Sequence, residues 1–328
     1  RLRSRGLGDV YKRQAVAPPP IMTVSQWADA ERRLSAESSA EAGRWNTDRA
    51  PYQREILDAV NNPECEEVVI MSSAQVGKTE LILNTIGYYI DYDPAPILVV
   101  NPTIEMAQTF SKDRLAPMIR DTPALRGKVR DAKSKNSGNT ILHKQFPGGH
   151  ITMAGANSPA SLASRPIRIA LMDEIDRYPA SAGTEGNPIK LAEKRTTTFW
   201  NRKKIKVSTP TIKGQSQIEA EFLTGSQEEW CVPCPCCGKY QPYEWGRIHF
   251  SDVTMECKFC GEHISEVDWK QQKGKYIAKF PDRKRKRSFH LNELASPWKH
   301  WEEIIREFRE AQKELKENGD INKMKTWI

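Results

Sequence analysis

The chain lacks any long apolar run. Its apolar stretches, such as Ile97–Val100 and the Arg168-interrupted Ile167–Met172, are short, whereas a membrane-crossing helix needs about 20 apolar residues. No secretory leader is legible, because the opening RLRSRGLGDVYKRQ is basic and lacks the apolar centre a leader requires. No internal repeat is visible. Cysteine is sparse and odd in number, at seven, which argues against a disulfide framework. Net positive charge is confined to two short runs. The formal net charge is +8, yet residues 1–14 carry a net +4 and Arg283–Arg287 carry +5, so the remainder sums to −1. The total therefore gives no argument for a nucleic-acid partner.

With 38% apolar and 28% charged residues over 328 positions, the chain can build an ordinary core in two domains. Residues 1–14 resemble translated sequencing-adapter read-through and are set aside as a non-native tail, the plain alternative being a solvated basic arm. Residues 15–45 are an N-terminal segment rich in Ala, Pro, Ser and Glu, with one short helical pattern around Val24–Leu34. Over 46–225, short apolar strands alternate with helical patterns, which predicts an α/β domain with a mainly parallel sheet. Over 226–276 the composition shifts to Cys, Pro, Trp and Gly. Residues 277–328 read as a basic linker and then a helix whose Trp301, Ile304, Ile305, Phe308 and Leu315 fall mostly at three- and four-residue spacing.

The chemistry begins at the strand Val68-Val69-Ile70-Met71. Ser72-Ser73-Ala74-Gln75-Val76-Gly77-Lys78-Thr79 follows it, and then Leu81, Ile82, Ile86, Tyr89 and Ile90 keep helical spacing. This is strand, loop and helix around a phosphate-binding loop of the form GxxxxGK[ST], with Ser72 in the first glycine's place. Loop N–H groups would surround the phosphates, Lys78 would reach the β- and γ-phosphates, and the Thr79 hydroxyl would ligate Mg²⁺. The plain alternative is a polar turn that opens a helix. A second strand, Ile167–Met172, ends in Asp173-Glu174. Carboxylates at such a strand end lie where open α/β sheets bind ligands. Asp173 would hold Mg²⁺ through water, and Glu174 would act as general base on the attacking water. The two motifs together predict an ATPase.

Three further patterns fit. In Pro51-Tyr52-Gln53, Gln53 would hydrogen-bond adenine and Tyr52 would stack on it, against a plain helix start. The strand Ile205–Val207 ends in Ser208-Thr209-Pro210, where a polar end would sense the γ-phosphate. Arg165 precedes the acidic strand and would act as an arginine finger on a neighbouring subunit, against a surface ion pair. Arg202, Lys203 and Lys204, and the 283–287 run, are candidates to grip DNA or to remain solvated surface.

Two CxxCG knuckles, Cys234/Cys237 and Cys257/Cys260, have the spacing of a structural Zn²⁺ site with four thiolates, a zinc ribbon. Cys231 and Cys236 blur the first knuckle, because Cys231 and Cys234 share the same spacing.

In order along the chain stand Pro51–Arg54, the phosphate loop, Gly155–Ser158 leading to Ser161–Pro166, Asp173-Glu174, Ser208–Pro210, Val232–Pro235 and Ser296–Trp298. From about Trp27 onward the chain resembles the N-terminal part of phage terminase large subunits of the lambda GpA type. The resemblance implies a P-loop NTPase with a RecA/ASCE-like sheet. It implies a homo-oligomeric ring at a procapsid portal that uses ATP and Mg²⁺ to drive double-stranded DNA inward, with a small terminase subunit as partner, in the host cytoplasm and not in a membrane. Lys78 and Thr79 would bind ATP–Mg²⁺, Asp173 and Glu174 would serve hydrolysis, and Ser208–Pro210 would couple it to movement. Such terminases continue into a nuclease domain, expected to be missing here, so that DNA cutting is not expected. The competing readings are a helicase-like translocase, which needs a second RecA-like domain, and a non-enzymatic zinc-ribbon DNA-binding protein, against which the intact Lys78, Thr79, Asp173 and Glu174 argue.

Overall fold

A computed structural model describes residues 22–37, 39–129, 139–159, 162 and 165–319. The tail 1–14 and the Ser161, Ala163 and Ser164 positions lie outside the described residues. Ten strands form the main sheet: β1 (Glu67–Ser72), β2 (Ile97–Asn101), β3 (His143–Phe146), β4 (Gly149–Gly155), β5 (Ile169–Asp173), β6 (Lys203–Ser208), β7 (Glu228–Pro233), β8 (Tyr240–Pro242), β12 (Lys275–Ala278) and β13 (Lys286–Leu291). Three short strands, β9 (Ile248–His249), β10 (Thr254–Glu256) and β11 (His263–Ser265), make a separate antiparallel sheet. The main order is β8-β7-β13-β1-β6-β5-β2-β4-β3, and β12 pairs with β7 off this path. From β7 to β4 the strands are parallel, and β3, β8 and β12 run antiparallel.

The sheet is covered on both faces, which is why its strands read as continuous apolar runs. Along β1, Val68 and Ile70 join one core with Ile56, Leu57, Ile82 and Ile86. Val69 points the other way, into a second core with Ile189, Leu191, Ile218 and Phe222. The first face is covered by α1 (Val24–Glu31), α2 (Tyr52–Asn61) and α3 (Lys78–Asp91). A Thr23/Gln26 capping box starts α1, and Trp27 donates its indole N–H to Asp91 on α3 at 2.7 Å. The second face carries α6 (Pro188–Lys194) and α7 (Gln217–Leu223). After α3 in the chain, α4 (Ile104–Thr109), a wider-turn stretch Phe110–Leu115 and α5 (Ala116–Asp121) join the first core; α8 (Glu266–Lys270) precedes β12, and α9 (Trp301–Asn318) is the last helix among the described residues.

Two expected boundaries move. The basic stretch read as a linker forms β13, paired with β1 over six residues from Lys286 opposite Glu67 to Leu291 opposite Ser72. The cysteine-rich stretch is not a free-standing module, since β7, β8 and β12 extend the main sheet.

The charged strands are reconciled with burial by ion pairing. Lys206 is 1% exposed on β6, and its ammonium reaches Glu193 at 2.6 Å, Glu221 at 2.8 Å and Glu67 at 3.3 Å. Lys286 joins Glu221 at 2.5 Å, Arg287 joins Glu228 at 2.6 Å, and Arg202 joins Glu66 at 2.6 Å. Lys204 lies 3.0 Å from Glu66, and Lys203 donates to the Asn62 and Cys65 carbonyls. Arg283 donates to the Gly225 carbonyl, Arg285 pairs with Glu66, and Lys284 lies 3.7 Å from Glu64. The residues named as candidates to grip DNA or to remain solvated surface thus have partners within the chain, while Lys284 and Arg285 stay exposed.

Candidate nucleotide site

Residues Val68–Ile70 are buried and β-branched, which fixes β1, and the chain leaves the sheet after Ser72. The following loop is held from several sides. Ser73 N–H donates to the Leu291 carbonyl of β13 at 3.0 Å, and the Ser296 hydroxyl donates to the Gln75 carbonyl at 3.4 Å. The Val76 carbonyl accepts from the Tyr52 hydroxyl at 3.2 Å and from the Gln53 amide at 3.3 Å. Gly77 has φ +83°, which favours glycine, and a Cβ there would lie 2.4 Å from the Gln53 amide nitrogen, so that side chain would also have to move. Helix α3 starts at Lys78 without a side-chain cap, leaving its first N–H groups and the positive end of its dipole toward the loop.

Strand β6 lies between β1 and β5, so the ends of all three strands meet. There Lys78 Nζ is 3.4 Å from Glu174 Oε1 and donates to the Thr209 hydroxyl. Glu174 adopts a left-handed backbone, φ +53°, which costs a residue with a Cβ about 1 kcal/mol. Burial, and then the neighbouring Glu174, push the Asp173 carboxyl up to about 7, against the pull of Lys78. Thr79 is half-buried at the start of α3.

One residue of this region escaped the sequence reading. Asp176 accepts from the Thr211 N–H and hydroxyl, both at 2.9 Å, and from the Ile218 N–H at 2.7 Å, while its own N–H donates to the Ser208 hydroxyl at 3.2 Å. It ties the loop after β5 to the loop after β6 and to the start of α7. A third acidic residue two positions after Glu174 was its only signal in the sequence.

One expected contact differs in the structure, and Arg165, expected to act on a neighbouring subunit, stands apart from this chain's own site. Tyr52 is 1% exposed, packed edge-on against Trp230, and Gln53 is fully buried. They brace the loop from beneath and offer adenine no open face in this arrangement. Arg165 is exposed and lies 3.4 Å from His143 on the edge strand β3, so it is not brought to Lys78 and Glu174.

The cysteines converge as their spacing predicts. The sulfurs of Cys234, Cys237, Cys257 and Cys260 lie within 4.8 Å of one another, with Cys234–Cys260 and Cys237–Cys257 each at 3.8 Å. Backbone N–H groups of Cys237 and Phe259 donate to Cys234 and Cys257 sulfurs at 3.4 Å. Cys231 is buried in β7 and Cys236 is exposed, and neither belongs to the cluster.

Comparison with known proteins matches residues 39–276 to the family described as "Phage terminase large subunit gpA, ATPase domain". Residues 286–328 match "Terminase large subunit gpA, endonuclease domain". The segment expected to be missing therefore begins within this chain, and its first residues form β13 of the main sheet. The chain is 29% identical over 346 residues to the terminase large subunit of Enterobacteria phage P21, and 27% identical over 345 residues to that of Escherichia phage lambda. These alignments cover 95% and 94% of this chain but 52% of each relative, so the chain spans about half their length. Among solved structures it is similar to the large terminase ATPase domain of Thermus phage P74-26, at 13% identity and a TM-score of 0.46, covering 90% of this chain and 98% of that one.

Proposed function

Through its ATPase domain the chain belongs to the family of gpA-type phage terminase large subunits, and from that premise we propose that it is the ATP-hydrolysing motor portion of a terminase that drives double-stranded DNA into a procapsid. The observation that carries this reading is the meeting of Lys78, Thr209 and Glu174 at the ends of three adjacent parallel strands, beside a loop whose backbone is braced on several sides.

In this reading Ser72, Ser73, Ala74, Gln75, Val76 and Gly77 wrap the polyphosphate with backbone N–H groups. Lys78 neutralises the β- and γ-phosphates, and the start of α3 adds its dipole. Thr79 and Asp173 are oxygen donors suited to Mg²⁺, which when bound neutralises charge building on the phosphate oxygens. Glu174 takes the proton of the attacking water. The γ-phosphate competes with Glu174 for the Lys78 ammonium, so substrate arrival frees the carboxylate to act as base. Thr209 and Ser208 lie on the same strand end and pass the change through Asp176 to α7. Arg165, on the outer edge of the sheet, acts on the nucleotide of a neighbouring subunit in a homo-oligomeric ring.

The four clustered thiols fit a structural Zn²⁺. Tetrahedral Zn–S bonds of about 2.3 Å place sulfurs about 3.8 Å apart, the separation seen for Cys234–Cys260 and Cys237–Cys257. The partners in this reading are DNA, held through its phosphates and hence in a salt-sensitive way, the small terminase subunit and the portal, in the host cytoplasm.

The test is thermal stability with and without Mg-ATP for the parent and for Lys78→Ala. Ligand at 100 times its Kd adds about 2.7 kcal/mol. A shift in the parent that disappears in the variant supports the reading, and no shift in a folded, zinc-loaded parent overturns it.

A further inference from the structure

The polarity of the site says where a nucleoside must lie. Lys78, Thr209 and Glu174 mark the γ-phosphate end on the β6 and β5 side of β1. A polyphosphate wrapped by the loop therefore runs toward the opposite neighbour of β1, which is β13. The loop that follows β13 lies against the phosphate loop, through the Ser73–Leu291 and Ser296–Gln75 hydrogen bonds. It carries Trp298. This indole is 42% exposed, and its ring edge lies 3.7 Å from where a Cβ on Gly77 would stand. It also lies close enough to Glu41 to help, after Arg49, to hold that carboxylate low.

Tyr52, the aromatic that the sequence offers for the base, is sealed beneath the loop. Trp298 is a large aromatic surface, open to solvent, at the nucleoside end. Its position is fixed from behind. The Trp298 backbone N–H donates to the Ser296 hydroxyl at 3.3 Å, and Lys270 on α8 donates to the Ser296 carbonyl at 2.6 Å and the Lys299 carbonyl at 3.0 Å. Glu266, also on α8, accepts the Trp301 N–H at 2.9 Å, and the Trp301 indole N–H donates to the Leu294 carbonyl at 2.9 Å. The loop is thus held between the phosphate loop and the helix that follows the cysteine cluster.

We propose that Trp298 is the base-stacking residue of the nucleotide site, taking the adenine ring on its exposed face. The inference rests on the phosphate-site reading above and adds to it the residue that makes the site prefer a nucleotide over a bare polyphosphate. Stacking of one base on an aromatic side chain is lost on alanine substitution with a roughly tenfold or greater fall in affinity.

The experiment measures binding of Mg-ADP and of inorganic magnesium tripolyphosphate to the full chain, for the parent, Trp298→Ala, Trp298→Phe and Lys78→Ala. Trp298→Ala is expected to weaken Mg-ADP about tenfold or more and to leave tripolyphosphate within about twofold, with Trp298→Phe recovering most of the loss. Equal weakening of both probes by Trp298→Ala would mean that the indole only props the loop, and no change in either would remove it from the site. Both outcomes overturn the proposal. Lys78→Ala must weaken both probes; if it weakens neither, the phosphate-site reading itself fails, a result that the two Trp298 outcomes do not mimic.

Discussion

Lys78 stands 3.4 Å from Glu174 while its ammonium also donates to Thr209, so one cation joins the ends of β5 and β6 to the start of α3. The three residues are far apart in the chain, and only the insertion of β6 between β1 and β5 brings them together. The arrangement gives Glu174 a partner that a phosphate can take from it.

Glu174→Gln keeps the size of the side chain and removes its basicity. Mg-ATP binding should stay within about threefold, and steady-state hydrolysis should fall by about 10²–10⁴. A variant that turns over at the parent rate would take the general-base role away from Glu174.

Asp173 is held up to about 7 by burial and by Glu174. Its unfolded value is 3.8, so between about pH 4 and 7 the folded chain retains a proton that the unfolded chain has lost. Stability contributed by this group therefore falls as pH rises through that window, and the loss is complete above it. A cation at Asp173 needs the carboxylate, so Mg-ATP binding should release a proton near pH 6 and strengthen toward pH 8. Calorimetry in buffers of different ionisation enthalpy, parent against Asp173→Asn, isolates the term. Equal proton release by both proteins would exclude Asp173 as its source.

Lys206→Met should be among the most destabilising single changes in the sheet. Burial alone would lower this lysine's pKa, but Glu67, Glu193 and Glu221 outweigh it and raise it. Removing the cation leaves Glu67, Glu193 and Glu221 around a buried position with only their outer partners Lys204, Lys190 and Lys286, a loss of about 3 kcal/mol, the low end for broken buried pairs. Urea unfolding measures it, and a shift below about 1 kcal/mol would show that the network contributes little.

The cysteine cluster should hold one zinc per chain. Replacing any of Cys234, Cys237, Cys257 or Cys260 by serine should lower zinc content in atomic absorption, whereas Cys231→Ser and Cys236→Ser should retain it. Cobalt substitution should give thiolate charge-transfer absorption in the parent. Zinc loss from the Cys231 variant would reassign the first knuckle.

The sequence by itself determined the strand, loop and helix around Ser72–Thr79, the acidic strand end and the four clustered cysteines. Each of these is a local pattern. Strand and helix periodicity flank Ser72–Thr79, Ile167–Met172 leads into Asp173, and knuckle spacing needs no distant partner. It did not reveal β13. KRSFHL reads as solvated charge until Glu67, Glu221 and Glu228, contributed by distant elements, neutralise Lys286 and Arg287 and let the strand lie beside β1. For the same reason Lys203 and Lys204 on β6, and Arg202 just before it, read as DNA-gripping or solvated residues although all three have partners within the chain. Tertiary structure alone decided that Tyr52 and Gln53 brace the loop from beneath, that Asp176 joins two loops, and that Trp298 stands beside Gly77. The physical reason is that burial and charge pairing are properties of neighbours in space, and spacing along a chain reports only the neighbours that are also close in sequence.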